Sequence, residues 1–384
     1  MMRGIGQYYS KNKRFCKAVI VMTALTVCFI LLSFIRAWAD FYADHIYFFF
    51  CKHLSRLVER IPFPLGELLM YLGAILIITA ILLLILRIFL RKKKKYITFL
   101  SVYLRTLTIV ILSVLLIYST QWLTTFRSSV LGKPGYAAGE YTTDELGILY
   151  LYLVDGINEE CGKVPRNEAG DIIYDDKETV EQKVSVAMNK AGDEYPRLKG
   201  YYPTIKAAWC SDELHWMGIG GYTYPYTLEL TYNKYVNNFR FSSLYAHESC
   251  HHMGYFKEHE ANFLAYIACK ESDDPILRYT AYYYVLRYVD DAYHLACLND
   301  GNEDIYLKAV KEHPVLSQVK TDYDNAVSEA EERFDRDEHP LEDYADEVEK
   351  IGDAGWNTQA DILGGYNYDG VVDLLLQYYD GKLY

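Results

Sequence analysis

His247-Glu248-Ser249-Cys250-His251, followed by Gly254 and Glu258-His259-Glu260-Ala261-Asn262, is the stretch from which the rest of the chain is read. On a helix, residues four apart share a face, so His247 and His251 can aim two imidazoles at one metal ion with Glu248 beside them. This is the HExxH arrangement of zinc peptidases. A catalytic zinc takes three protein ligands and leaves one position to water, so a third ligand is needed nearby. Gly254 lies three residues past His251, where a helix can end on a left-handed residue and the chain can turn back. The run from Glu258 to about Lys270 reads as the returning helix. Glu258 and Glu260 compete for the ligand role. Asn262 stands four residues beyond Glu258, on the same face, where it could hold a ligand histidine by its other ring nitrogen. Leu264 stands four beyond Glu260, so the pattern favours Glu258.

Outward from this motif, charge divides the chain. Residues 1–123 carry 16 Lys and Arg against 4 Asp and Glu, leaving 23 against 47 for the remainder. A basic, apolar front and an acidic, Tyr-rich back imply two environments in one chain. An acidic surface repels phosphate, which argues against nucleic acid as a partner.

Three apolar runs, about 16–39, 65–90 and 99–123, each match the ~20 residues that a helix needs to cross a bilayer core. Basic residues cluster before the first run and between the second and third, at Arg91-Lys92-Lys93-Lys94-Lys95. The positive-inside rule makes both sites cytoplasmic, and three crossings then leave the chain after Leu123 outside. The expected organisation is a membrane domain over 1–123 and an extracytoplasmic domain over 124–384. The expected location is the plasma membrane, multi-pass, with the lipid bilayer as a partner. Residues 40–64 read as a segment seated at the interface.

In the outer part, Thr142-Thr143-Asp144-Glu145 starts a helix with Leu146, Leu149, Tyr150, Leu153 and Ile157 at helical spacing. Residues 226–233 alternate strictly, with Thr227, Glu229, Thr231 and Asn233 on one side, which predicts a half-buried strand. Pro225 at its start predicts an edge. An edge strand before the metal helix could hold an extended peptide through backbone hydrogen bonds, with Thr227, Glu229 and Thr231 as substrate-binding residues. A long helix follows over 275–297, then a charged stretch over 315–350 that reads as a solvated helical pair. The segment 362–379 reads as a helix packed back on the domain. Cys161 and Cys210 are the candidates for a disulfide, and Cys250, Cys269 and Cys297 read as buried hydrophobes.

With spans and motif placed, the chain resembles a bacterial membrane family, the domain of unknown function 3810. The resemblance rests on the three N-terminal spans, Gly220-Gly221-Tyr222, Pro225-Tyr226-Thr227, the HExxH, Gly254, the Glu258 to Phe263 run and the closing 368–376 segment. The family pattern expects Gln after the HExxH, where this chain has His252. The resemblance implies a gluzincin-type metallopeptidase, with zinc on His247, His251 and Glu258 and with Glu248 as general base. The expected fold is membrane-anchored and mainly α: three transmembrane helices followed by an α+β zincin-like domain. The expected activity is zinc-dependent hydrolysis of a peptide or protein substrate. Tyr366 and Tyr368 are the candidate oxyanion donors. The alternative reading is a membrane-anchored, catalytically inactive metal-binding sensor or peptide-binding module.

Overall fold

The computed structural model describes residue 8 and residues 10–136, 139–363 and 370–384. The chain is mainly helical and divides into two compact units, residues 1–128 with 224–229, and residues 129–223 with 230–384.

The first unit is built on α1 (Lys13–Ser33), α2 (Arg36–Phe41), α3 (Phe48–Val58), α4 (Leu65–Leu90), α5 (Lys94–Ile117) and α6 (Thr124–Phe126). Three helices, Lys13–Ser33, Leu65–Leu90 and Lys94–Phe126, are long and apolar enough to cross a membrane. The first is shorter than its apolar run, because Ile35 takes an extended conformation (φ −90°, ψ 102°) and breaks the helix before Arg36. The third is longer, starting at Lys94 and running through a π-helical turn at Tyr118–Leu123 into α6. In α3, Cys51, Ser55 and Val58 form the buried stripe while Phe49 and Leu57 face outward. This is the amphipathic spacing of a helix lying on a surface.

Within this unit, residues 224–229 meet the start of α4. The Glu229 carboxylate accepts the backbone N–H of Leu65 at 3.0 Å and of Gly66 at 2.7 Å. These are two of the unpaired donors at the N-terminus of α4, where the helix dipole also favours negative charge. Gly66 is required beneath them, since a Cβ there would stand 2.3 Å from the Tyr224 ring.

The second unit contains α7 (Thr143–Cys161), α8 (Lys177–Ala191), β1 (Lys206–Ala207), α9 (Ser211–Trp216), β2 (Gly221–Thr223), β3 (Leu230–Tyr232), α10 (Asn238–His252), α11 (Glu258–Lys270), α12 (Pro275–Asn299), α13 (Glu303–Glu312), α14 (Ser317–Asp335), α15 (Ala345–Leu363) and α16 (Gly370–Tyr379). A capping box starts α7: Glu145 N–H donates to Thr142 Oγ1 at 3.2 Å and Thr142 N–H donates to Glu145 Oε2 at 2.7 Å. The expected stripe of Leu146, Leu149, Tyr150, Leu153 and Ile157 is buried, and α7 packs along α12. The helix α16 buries Val371, Val372, Leu374, Leu375 and Leu376 against α11, α12 and α7, as its apolar pattern anticipates.

The sheet corrects the expected edge strand. Its order is β1-β3-β2, with β3 parallel to β1 and antiparallel to β2. The alternating run is strand only over Leu230–Tyr232, where all three residues are buried, and it is the central strand. Tyr224 to Glu229 form a turn closed by Leu228 N–H to Tyr224 O at 2.8 Å, with Leu228 left-handed at φ +59°. Alternation reports which way side chains point, while strand order depends on distant partners that a local pattern does not contain.

Two further expectations change. Cys161 and Cys210 do not form the expected disulfide: the Cys161 thiol lies 4.0 Å from Asp322 and the Cys210 thiol 3.7 Å from the Tyr222 hydroxyl. The charged segment 315–350 is not uniformly solvated, since Val319, Asp322, Ala326 and Ala330 of α14 are buried. Asp322 accepts both Arg166 terminal nitrogens at 2.6 and 2.7 Å, the Tyr279 hydroxyl at 2.8 Å and Gln318 Nε2 at 2.9 Å.

Candidate metal centre

The helix α10 starts at Asn237, whose side chain accepts the Arg240 N–H at 2.8 Å. It ends in a Schellman motif, with Gly254 N–H to His251 O at 2.9 Å, Tyr255 N–H to Cys250 O at 3.0 Å, and Gly254 at φ +92°. This turn sends the chain back as α11, which packs on α10 and presents Glu258 in its first turn. The close packing is possible because Ala261 and Ala265 are small and fully buried.

Three donor groups converge. His247 Nε2 lies 3.1 Å from Glu258 Oε2, and His251 Nε2 lies 3.5 Å from Glu258 Oε1. One ligand atom from each residue falls within 4.8 Å of the others. The two imidazole planes are nearly perpendicular, at 86° with centroids 4.6 Å apart. His251 Nδ1 faces the Tyr255 carbonyl at 2.8 Å, so the ring N–H sits there and the Nε2 lone pair is left for the centre of the cluster. The Schellman turn thus supplies both the reversal and the group that orients a ligand.

Glu260, the competing glutamate, is buried elsewhere and receives Lys257 Nζ at 2.8 Å. Asn262 does not hold a histidine. Its Oδ1 accepts the Tyr284 hydroxyl at 2.9 Å, while its Nδ2 and His247 Nδ1 are buried without partners among the described residues.

Glu248 stands beside the cluster, almost wholly buried. Thr223 of β2 donates its hydroxyl to Glu248 Oε2 at 2.9 Å. Burial raises the Glu248 pKa above the usual carboxylate value, against the opposing pull of His251, His247 and the Thr223 hydroxyl. For His251, burial would lower the pKa, but the Glu258 carboxylate dominates with Glu248 in support, and the net value rises to about 9. Burial likewise works against ionised Glu258, yet His251 and His247 hold it well below the usual range. A pocket that contains two carboxylates and draws a proton onto a buried imidazole favours positive charge at its centre. Two imidazole nitrogens and one carboxylate form a His2Glu donor set, which zinc accepts with one position open. The residues present therefore fit a zinc ion.

The three expected substrate-binding residues have the following surroundings. Thr227 is buried with its hydroxyl unpartnered among the described residues, Glu229 caps α4, and Thr231 donates to the Tyr222 carbonyl at 2.7 Å. Tyr366 and Tyr368 lie outside the described residues. The residues that do meet the site from β2 are Thr223 and Gly221, where a Cβ would stand 2.5 Å from the Thr231 carbonyl oxygen and 3.3 Å from Glu248 Oε1. The signal for Gly221 was the Gly220-Gly221 pair, since glycine within a strand marks close backbone approach. Nothing local distinguishes Thr223 or Tyr284. His252, at the departure from the family pattern, is fully buried and faces the Tyr201 carbonyl at 3.2 Å.

A family model described as "Protein of unknown function (DUF3810)" matches residues 42–376. The chain finds no match among curated proteins and none among solved structures.

Proposed function

The chain belongs to the DUF3810 family, and on that premise we propose that it is a bacterial membrane-anchored zinc metallopeptidase with a zincin-like outer domain. The observation that carries this reading is the convergence of His247, His251 and Glu258 within 4.8 Å, next to buried Glu248. A structural zinc site has four protein ligands and no need of an adjacent base, whereas a three-ligand set beside a carboxylate fits hydrolysis. Bound zinc would polarise a substrate carbonyl and lower the pKa of water.

The chain's own groups account for the remaining steps. Glu248 takes a proton from the attacking water and returns it to the leaving amine. The Thr223 hydroxyl holds one Glu248 oxygen and so leaves the other for that proton. The Tyr255 carbonyl holds the His251 tautomer. An extended peptide would add to β2, which is at the sheet edge and lies on α10, rather than to central β3. Placement in the plasma membrane with the second unit extracytoplasmic follows the distribution of basic residues.

The test is metal content of the full-length protein purified without chelator. About one zinc per chain is expected, lost in Glu258→Ala and kept in Glu260→Ala. Glu248→Gln should keep zinc and abolish hydrolysis. A parent without zinc would overturn the proposal. Zinc with no hydrolysis of any peptide would leave the anchored binding module as the account.

A further inference from the structure

The helix that carries His247 and His251 also carries a cation with no counter-ion among the described residues. Arg240 is half-buried, and its guanidinium makes no hydrogen bond or ion pair with any described residue. This is unusual in a chain with 51 acidic side chains against 39 basic ones, because partial burial of an unpaired charge is costly. The guanidinium lies beside Gly220, next to the strand that meets the site. Arg240, Leu244 and Glu248 follow one another at four-residue steps along one face of α10. The backbone leading into β2 crosses that face without side chains: Arg240 Nη2 would be 3.6 Å from a Cβ on Gly220, and Glu248 Oε1 would be 3.3 Å from a Cβ on Gly221. Arg240 and the base therefore face consecutive residues of the same segment.

A second arginine approaches from α12. Arg287 is exposed, donates to the Tyr288 hydroxyl at 2.7 Å, and stands 4.6 Å from the Tyr288 ring centroid and 5.6 Å from that of Tyr284. Tyr284 is the residue bonded to Asn262 on the ligand helix. Arg287 thus stands against the ring whose hydroxyl reaches the ligand helix, and the charges of Arg240 and Glu258 act on the same phenol. The carboxylate that acts on neighbouring Tyr283 is Asp324, and it is paired with Lys320.

We propose that Arg240, with Arg287, receives a carboxylate of the bound peptide, so that the site selects substrates bearing a negative charge next to the scissile bond. This rests on the metallopeptidase reading. A guanidinium presents up to five N–H donors in a planar fork that matches a carboxylate. The carboxylate is supplied by the peptide C-terminus or by an Asp or Glu side chain.

The test reads binding without turnover, using the full-length zinc-loaded protein with Glu248→Gln in detergent micelles. Three random hexapeptide pools are compared: free-acid without Asp or Glu, amidated without Asp or Glu, and amidated with Asp and Glu. At least one anionic pool should be retained about tenfold or more above the neutral pool, the scale of a charge-assisted hydrogen bond. Retention of the free-acid pool assigns the C-terminus, and retention of the third pool assigns an acidic side chain. Arg240→Gln should remove the preference, Arg240→Lys should keep part of it, and the exposed Arg287→Gln should weaken it even if the Arg240 variants fail to fold. Equal retention of the neutral pool, retention of no pool, or an undiminished preference in both Gln variants would overturn the proposal. Failure of the peptidase reading looks different: the anionic pool is retained, but the parent enzyme cleaves none of the three.

Discussion

Asp322→Asn should loosen α14 from the second unit. The Asp322 side chain is 1% exposed and Arg166 is 21% exposed, and their ion pair is bidentate. The substitution keeps the shape but removes the charge, and turns an NH2 toward one of the Arg166 nitrogens. It also leaves the Tyr279 hydroxyl and Gln318 with a weaker acceptor. Removing one partner of a buried pair costs about 3–5 kcal/mol. Arg166 can be partly rehydrated, so the low end, about 3 kcal/mol, is expected. At 1.4 kcal/mol per decade this is roughly a hundredfold in the local opening equilibrium. Amide hydrogen exchange across Ser317–Asp335 reads it directly. Asp324→Asn is the control, since its pair with Lys320 is exposed and worth no more than about 0.5 kcal/mol. The dependence on pH gives a second check. Burial pushes the Asp322 pKa up, but the bonds from Arg166, Gln318 and Tyr279 outweigh it and hold the value below the usual one. The stabilisation is therefore fully present above the unfolded pKa of about 3.9 and disappears as pH falls through the lower folded value. The Asn variant should lack that acid-side loss. Exchange within threefold of the parent at neutral pH would refute the reasoning.

Other substitutions probe the remaining contacts. Gly221→Ala must move β2 from the Thr231 carbonyl or from Glu248, at a cost of about 1–3 kcal/mol. A lowered denaturation midpoint and faster zinc release are expected, whereas Gly73→Ala in α4, with nothing within 4 Å of its Cβ, should be neutral. Glu229→Gln removes the charge that accepts from Leu65 and Gly66, and should speed exchange of those two amides by about tenfold, the equivalent of one helix cap. Unchanged exchange there would show that the cap contributes nothing. Thr223→Val should leave zinc content intact and lower the turnover number about tenfold by freeing Glu248. Loss of zinc instead would mark Thr223 as part of the metal site's support.

The apolar spans, the shared face of His247 and His251, the Gly254 turn and the α7 stripe are all visible in sequence, because each depends on residues within one or two helical turns. Length and periodicity are local quantities, and the backbone reads them locally. Even there the ends shifted: Ile35 broke the first helix early, and a π-helical turn let the third continue to Phe126. Glu258 and Glu260 have equal access to the ligand role until α11 is rotated onto α10. Packing then turns one toward the two Nε2 atoms and the other toward Lys257. The 226–233 alternation was real, but Tyr224–Glu229 was drawn off to the N-terminus of α4, more than 150 residues away in sequence. Asp322 looked like one more charge on a solvated helix until Arg166 and Tyr279 enclosed it. In each of these cases the deciding partner is remote along the chain, so its effect exists only once the chain has folded.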